Sequence, residues 1–195
     1  RSGVRAIRSG SHERSDVPEG SESSPQLISS HPLILAHGGA GSRRMTLLQA
    51  ACLADALEAG YGILARGGPA LIAVECTIGL LEQSGLFNAG RGAKRQLDGV
   101  QRMDAAIMEG THLEAGAVAS IEGILHPITA ARLVMEATDH VLLVGPLASR
   151  FARHYKLDRH RSTGVSRRLS YDGILVRQKR APTERHGTVG AVALD

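Results

Sequence analysis

The fold of this chain is decided by one stretch, Gly187-Thr188-Val189-Gly190-Ala191-Val192-Ala193-Leu194-Asp195. The residues after Thr188 are short-chained, apolar and rich in Val and Ala, which predicts a buried strand beginning at Thr188. A long polar and basic segment precedes Gly187. A threonine between such a segment and a buried strand is where a self-cleaving precursor places its nucleophile.

Self-cleavage at this position has a chemical basis. The Thr188 hydroxyl would attack the carbonyl carbon of Gly187, and glycine tolerates the strained backbone that this requires. Hydrolysis of the resulting ester would free the Thr188 α-amine, which then serves as the base for its own hydroxyl. The alternative interpretation is structural, a core strand that simply begins with threonine.

Five motifs follow one another along the chain. They are His37-Gly38-Gly39-Ala40-Gly41, Leu86-Phe87-Asn88-Ala89-Gly90-Arg91-Gly92, Met103-Asp104-Ala105-Ala106-Ile107-Met108-Glu109-Gly110, Ala115-Gly116-Ala117-Val118-Ala119 and His186-Gly187-Thr188-Val189-Gly190-Ala191-Val192. Together they resemble the plant-type asparaginase/isoaspartyl peptidase family, threonine-type N-terminal-nucleophile hydrolases. The resemblance implies an α/β (α+β) fold, the αββα sandwich, of which this chain would hold the α region and the first strand of the β subunit.

The resemblance also implies a function. Thr188 would hydrolyse asparagine and β-aspartyl (isoaspartyl) dipeptides through a covalent β-aspartyl ester, with no cofactor for catalysis. Gly187 favours this branch over glycosylasparaginase and threonine aspartase relatives, which typically carry Asp before the nucleophile. Two αβ units would form the particle. Because the oxyanion and substrate groups of relatives lie beyond the first β strand, we expect this chain to be a fragment and inactive alone.

Further site residues rest on the same resemblance. Gly38 and Gly39 would shape the site, and Asn88 would support substrate or processing contacts, although Asn in a glycine-rich loop is also a common turn residue. A structural sodium ion would bind backbone carbonyls, because hard cations take oxygen ligands. The matching carbonyl positions are Leu81, Glu82, Ser84, Phe87, Ala89 and Arg91.

Composition and periodicity divide the chain into four regions. Residues 1–31 mix Ser, Gly and Pro with balanced charges and are predicted to be a disordered tail. Residues 32–155 are predicted to form the α-subunit core, 156–187 a mobile basic linker, and 188–195 the first β-subunit strand. Strands alternating with helices in the core indicate a layered α/β protein.

Local patterns place the elements of the core. A helical stripe runs through Met45, Leu48, Cys52, Ala56, Ala59 and Ile63, and a second helix follows Pro69 and ends at Ser84-Gly85. Later strands are predicted at 103–108, 115–121 and 141–144, helices at 127–137 and 147–155, and a hairpin turn at Asp98-Gly99. Asp104 is interpreted as structural, since a carboxylate among apolar strand residues needs partners.

The charge distribution leaves one alternative function. The chain carries a net charge of +4, and residues 150–187 hold eleven Lys and Arg against three acidic residues. Such a segment is typical of a solvated surface, and since no nucleic-acid-binding module accompanies it, we do not expect nucleic-acid binding. A non-catalytic basic interaction protein is the alternative. No apolar run reaches the roughly 20 residues of a membrane span. Cys52 and Cys76 are interpreted as buried free thiols of a cytoplasmic protein.

Overall fold

The computed structural model describes residues 31–39, 44–96, 98–160 and 187–195. The predicted tail up to residue 30 and residues 161–186 of the predicted linker lie outside the described residues. The elements are β1 (Leu33–His37), α1 (Leu47–Leu64), α2 (Ala70–Ser84), β2 (Met103–Met108), β3 (Ala115–Ile121), α3 (Pro127–Ala137), β4 (Leu142–Val144), α4 (Gly145–His154) and β5 (Gly190–Leu194).

Two sheets lie at the centre of the fold. β1 and β5 pair antiparallel in one sheet, with His37 opposite Gly190. β2 and β3 pair antiparallel in the other, and β4 joins β3 in parallel. Helices α1 and α2 pack on the first sheet, and α3 and α4 pack on the second. This mixture of helix-covered sheets confirms the predicted α/β class.

The first two helices begin and end at residues suited to those positions. Thr46 caps α1 through a capping box, in which its hydroxyl accepts from Gln49 N and the Gln49 side chain accepts from Thr46 N. The Gln49 side-chain amide also donates to Leu86 O at 2.9 Å, which ties α1 to the loop after α2. Gly85 ends α2 at φ 74°, a left-handed conformation that favours glycine.

The apolar stripe predicted for α1 is only partly correct. The helix buries Ala56, Gly60 and Leu64, whereas Met45 and Leu48 are exposed. The physical reason is that Ala56, Gly60 and Leu64 are covered by neighbouring residues, whereas no described element covers Met45 or Leu48. Helical spacing finds the apolar positions but does not tell which of them a neighbouring element covers.

Two glycines of α1 give a matched test of that packing. A Cβ at Gly60 would overlap the Thr77 hydroxyl and lie 2.8 Å from an Ile34 methyl, whereas one at Gly62 would meet only the end of Arg66 at 3.3 Å. We expect Gly60→Ala to lower the free energy of unfolding by about 1–3 kcal/mol through overpacking. Gly62→Ala should raise it by about 0.5–1 kcal/mol, because alanine favours the helix. Urea denaturation measures both, and equal shifts would contradict this account.

β5 differs from the prediction in start and in burial. It begins at Gly190 rather than Thr188. Ala191 and Ala193 pack towards the helices, but Val192 and Leu194 lie on the opposite face with Leu33 and Leu35, and these four are 52% to 65% exposed. The prediction of a buried strand is therefore wrong for this face. The reason is that no described element packs on it.

The main core lies between α2, the second sheet and helices α3 and α4. Its most completely buried apolar residues are Ala56, Leu81, Val118, Ile121, Ile124, Ala130, Ala131, Val134, Ala148 and Ala152. Val189 and Ala191 pack against this core, so the chain around β5 reaches from the first sheet to the second. The small side chain of Ala191 allows this close approach.

The described start of the predicted linker packs on the core. Asp158 O accepts from Leu125 N at 2.8 Å, and His160 N donates to Gly123 O at 3.1 Å. Leu157 lies against the main core. Ordered contacts therefore continue at least to residue 160, five residues past the predicted boundary.

The cysteines and the first helix complete the description. Cys52 and Cys76 are free thiols, as predicted, but they are half-buried. In the part of the chain that the structure describes, one helix, α1, has the length and mean hydropathy of a membrane span, by those two criteria only. A single such helix is weak evidence, because core helices and signal sequences meet the same criteria.

Candidate active site around Thr188

The Gly187–Thr188 peptide lies beside the end of β1. Thr188 comes two residues before β5, whose first residue, Gly190, pairs with His37. The His37 ring covers Gly190 so closely that no Cβ would fit there. The same ring accepts a hydrogen bond at Nδ1 from Gly39 N, at 3.2 Å. These contacts hold the turn after β1 against the residues that precede β5.

Gly39 approaches the predicted cleavage point directly. A Cβ built on Gly39 would lie 3.0 Å from Gly187 O and 3.2 Å from Gly187 C, and the residue has φ +109°, which L side chains rarely adopt. Gly38 packs against the Phe87 ring, since a Cβ there would lie 2.5 Å from the ring edge. Glycine is therefore required at both positions for close approach. The structure brings together Gly39, Gly187 and Thr188, as a site-shaping role requires.

A cavity of about 630 Å³ opens beside Thr188, a volume suited to a small molecule. It lies between α2, the residues around β5 and the second sheet. Its lining includes Val74, Ile78, Glu82, Asn88, Ala89, Gly90, Arg102, Asp104, Ala106, Ala117, Ile128, Leu142, Thr188, Val189 and Gly190. Of the sequence-predicted site residues, Thr188, Asn88, Glu82 and Ala89 thus share one cavity. Gly38, Gly39, Leu81, Ser84, Phe87 and Arg91 lie outside its lining.

The loop that carries Asn88 is held by side chains from within the same segment. Asn88 Oδ1 accepts from Lys94 N at 2.9 Å, across the 3₁₀ turn Gly90–Gly92. The Gln101 side-chain amide donates to the carbonyls of Gly90, Arg91 and Ala93 at 3.2, 3.2 and 2.7 Å. Asn88 is therefore a turn residue and a cavity residue at once, so its two interpretations do not exclude each other.

The carbonyls predicted to bind a cation lie at the end of α2 and in the loop that follows it. Leu81 O accepts from the Ser84 hydroxyl at 2.8 Å, and Arg91 O from Gln101. Phe87 O and Gly85 O press against Gly92, where a Cβ would not fit. Among the described residues, no three His, Cys, Asp or Glu side chains gather as a metal site.

Two charged residues on the cavity wall already have structural partners. Arg102 pairs with Asp98 and Glu122, each at 2.7 Å, and this guanidinium lowers the pKa of Asp98. Asp104 accepts from Ser120 N at 2.7 Å, beside the irregular pairing of β2 with β3. Asp104 thus has the partner that a structural carboxylate needs. Arg102 was not predicted from the sequence as a residue of the site.

Glu82 was predicted only as a backbone carbonyl ligand, and the role of its side chain was not predicted from the sequence. Its residue is 3% exposed, and Oε1 accepts from Ile128 N at 3.2 Å while Oε2 lies 3.5 Å from His126 Nδ1. Burial raises the pKa of this carboxyl, against the opposing effects of His126 and the Ile128 amide. The available signal was a carboxylate next to Leu81, within the apolar stripe of α2.

The raised pKa of Glu82 makes stability depend on pH. The unfolded carboxyl ionises at its ordinary pKa of 4.5, and the folded one at higher pH. Its contribution to the free energy of unfolding is therefore complete below the ordinary pKa and is lost as pH rises through the raised one. We expect Glu82→Gln to remove this part of the pH dependence in urea denaturation between about pH 4 and 8. Glu58→Gln, at an exposed position of α1, is the control, and unchanged slopes in Glu82→Gln would contradict the assignment.

Comparison with known proteins identifies relatives of this chain. A family model described as asparaginase matches residues 30–195. The plant-type L-asparaginase of Pyrococcus abyssi is 43% identical over 184 residues, 83% of this chain and 59% of that protein. The isoaspartyl peptidase of Escherichia coli K12 is 38% identical over 182 residues, covering 84% and 57%. The isoaspartyl peptidase/L-asparaginase of Danio rerio is 38% identical over 180 residues, covering 84% and 56%.

The chain spans less than two thirds of the length of these relatives. The family match nevertheless covers both sheets, the loop around Asn88 and the strand after Thr188. The extent of that match shows that this chain belongs to the asparaginase family of N-terminal-nucleophile hydrolases.

Proposed function

We propose that this chain is the N-terminal part of a self-processing hydrolase acting on asparagine and β-aspartyl dipeptides, with Thr188 as nucleophile. One observation carries the proposal. Thr188 opens onto a cavity of about 630 Å³ while the peptide before it is contacted by Gly39, a residue whose backbone excludes side chains. The names of the relatives support the substrate class.

Self-processing begins at the Gly187 carbonyl. The Thr188 hydroxyl oxygen bonds to the Gly187 carbonyl carbon, the bond from that carbon to Thr188 N breaks, and the hydroxyl proton ends on the freed amine. Water then adds to the ester carbon and releases the Gly187 carboxylate and the Thr188 hydroxyl. The Gly39 contact supports this step, because it leaves room for the carbonyl carbon to become tetrahedral without meeting a side chain.

Substrate hydrolysis uses the groups that processing creates. The Thr188 amine takes the proton of the Thr188 hydroxyl as its oxygen attacks the side-chain carbonyl carbon of asparagine. The proton passes to the leaving ammonia, and a β-aspartyl ester remains. Water activated by the same amine then releases aspartate. Asn88, on the same cavity wall, is proposed to support these contacts.

A structural sodium ion is proposed at the turn after α2, without a role in the reaction. The carbonyls that would hold it are those of Leu81, Glu82, Ser84, Phe87, Ala89 and Arg91. These carbonyls lie close together along the chain, at the end of α2 and in the loop after it, and backbone oxygens are ligands that hard cations take.

The working particle is proposed to include a β-subunit region after β5 and to be a cytoplasmic dimer of αβ units. The exposed apolar face formed by Leu33, Leu35, Val192 and Leu194 supports this, because a completed sheet sandwich would cover such a face. The 195-residue chain alone is therefore expected to release no ammonia from asparagine.

The test uses the full product of the gene that encodes this chain. Intact mass and N-terminal sequencing should find a new amino terminus at Thr188, and the processed protein should release ammonia from asparagine and aspartate from β-aspartyl dipeptides. A stable single chain without either activity would refute the proposal. The remaining hypothesis would then be a non-catalytic basic interaction protein. Gel retardation of nucleic acid at low salt would test that hypothesis.

A further inference from the structure

The side chain of Glu82 joins three structures that meet behind the candidate site. We propose that Glu82, together with His126, is a positioning pair that fixes the Asn88 loop and the start of α3, and that processing at Thr188 depends on it. The dependence on processing rests on the function proposed above. The positioning role stands on geometry of its own.

The first contact caps α3 from another helix. His126 is the cap residue of α3 and makes no side-chain cap hydrogen bond, and Pro127 at the first position has no N–H. Ile128 N is therefore the first free donor of the helix, and Glu82 Oε1 accepts from it at 3.2 Å. A carboxylate at a helix N-terminus is stabilised by the helix dipole as well as by the hydrogen bond.

The second contact pairs two buried atoms that have no other partner. Glu82 Oε2 and His126 Nδ1 are buried, and neither makes a hydrogen bond with any described residue. They lie 3.5 Å apart, so each is the nearest charged or polar partner available to the other. The other carboxylate of α2, Glu75, forms an ion pair with Arg132, with 2.9 Å between Oε2 and Nε. Each unpaired buried atom thus depends on the other.

The third contact reaches the loop of the candidate site. Gly90 presses on Glu82 so closely that a Cβ there would lie 2.5 Å from Glu82 Cβ and would overlap its carbonyl. Gly90 is two residues after Asn88, and both line the cavity with Thr188. A shift of Glu82 would therefore displace the part of the cavity lining that includes Asn88.

The variants separate the carboxyl's role from its volume. Glu82→Met keeps the length but removes both oxygens, leaving Ile128 N and His126 Nδ1 without partners. Glu82→Gln keeps an acceptor for Ile128 N and offers a donor to His126 Nδ1. Glu75→Gln, on the same helix face two turns earlier, is the matched control. Gly90→Ala disturbs the same contact from the loop side.

Hydrogen exchange tests the positioning role without cleavage. The full gene product carrying Thr188→Ala serves as the background, so that the chain stays intact. Glu82→Met should speed amide exchange at residues 86–94 and 128–131 by about tenfold, the effect of leaving a buried donor unpaired. Glu82→Gln and Glu75→Gln should keep wild-type protection, and Gly90→Ala should loosen 86–94 alone. Unchanged exchange in both segments of Glu82→Met and in Gly90→Ala would overturn the proposal.

Cleavage kinetics then test the link to processing. With Thr188 present, Glu82→Met and Gly90→Ala should slow the appearance of the Thr188 amino terminus by about tenfold, and Glu82→Gln should restore it. Loosened segments with an unchanged cleavage rate would overturn the dependence of processing on Glu82. Absence of cleavage in the wild type would instead refute the proposed function, while the exchange result would still decide the positioning role.

Discussion

Thr188→Ala is expected to abolish both the self-cleavage of the gene product and its hydrolysis of asparagine, by about 10⁴-fold or more. The physical reason is that one hydroxyl oxygen performs both attacks, and no described group at the cavity replaces it. The variant should remain one chain by mass spectrometry. Ammonia release should fall to the rate of the buffer.

Two further variants make this result specific. Thr188→Ser keeps the hydroxyl and should still produce a new amino terminus. Thr111→Ala removes a threonine from the exposed turn between β2 and β3, far from the cavity lining, and should leave cleavage unchanged. Cleavage that persists in Thr188→Ala would remove Thr188 from the mechanism altogether.

Gly39→Ala is expected to slow self-cleavage by at least about tenfold, the second largest effect. Two penalties act together at this residue. The backbone has φ +109°, which costs an L residue about 1–3 kcal/mol, and the new Cβ would lie 3.0 Å from Gly187 O. To relieve the backbone strain or the steric overlap, the turn that contains Gly39 must move away from the Gly187–Thr188 peptide, which is the bond to be cleaved. The half-time of cleavage at constant temperature measures the effect.

Gly110→Ala is the matched control for this substitution. Gly110 also lies in a turn after a strand, but a Cβ there meets nothing within 4 Å and its φ is not left-handed. Its cleavage half-time and melting temperature should stay at wild-type values. If Gly39→Ala cleaves as fast as Gly110→Ala, the contact with Gly187 has no role in processing.

Much of the fold could be predicted because local sequence determines it. The limits 103–108, 115–121 and 127–137 agree with β2, β3 and α3, since period-two patterns, small residues and Pro127 each act within a few positions. Gly85 ended α2 for the same local reason. The alternation of strands with helices indicated the layered α/β class, and the family resemblance implied the αββα sandwich.

The remainder depends on contacts between distant parts of the chain. Val192 and Leu194 look like core residues, yet their exposure is set by whether another layer covers them, which the stretch itself does not record. The role of the Glu82 side chain depends on its contacts with Ile128 and His126, at the start of another helix. Gly39 was expected near Thr188 from resemblance alone, and the pairing of β1 with β5 supplies the physical cause.

That pairing has a consequence for the timing of maturation. β1 comes from near the start of the sequence and β5 from its end, so their sheet forms only after nearly the whole 195-residue stretch has been synthesised. Asp195 Oδ2 then accepts from Ala70 N at 2.9 Å and fastens the strand to the start of α2. Such long-range pairing is slow to form. The contact between Gly39 and Gly187 is made where β1 pairs with β5. We therefore infer that a chain is not cleaved until this sheet has formed. After cleavage, β5 stays hydrogen-bonded to β1.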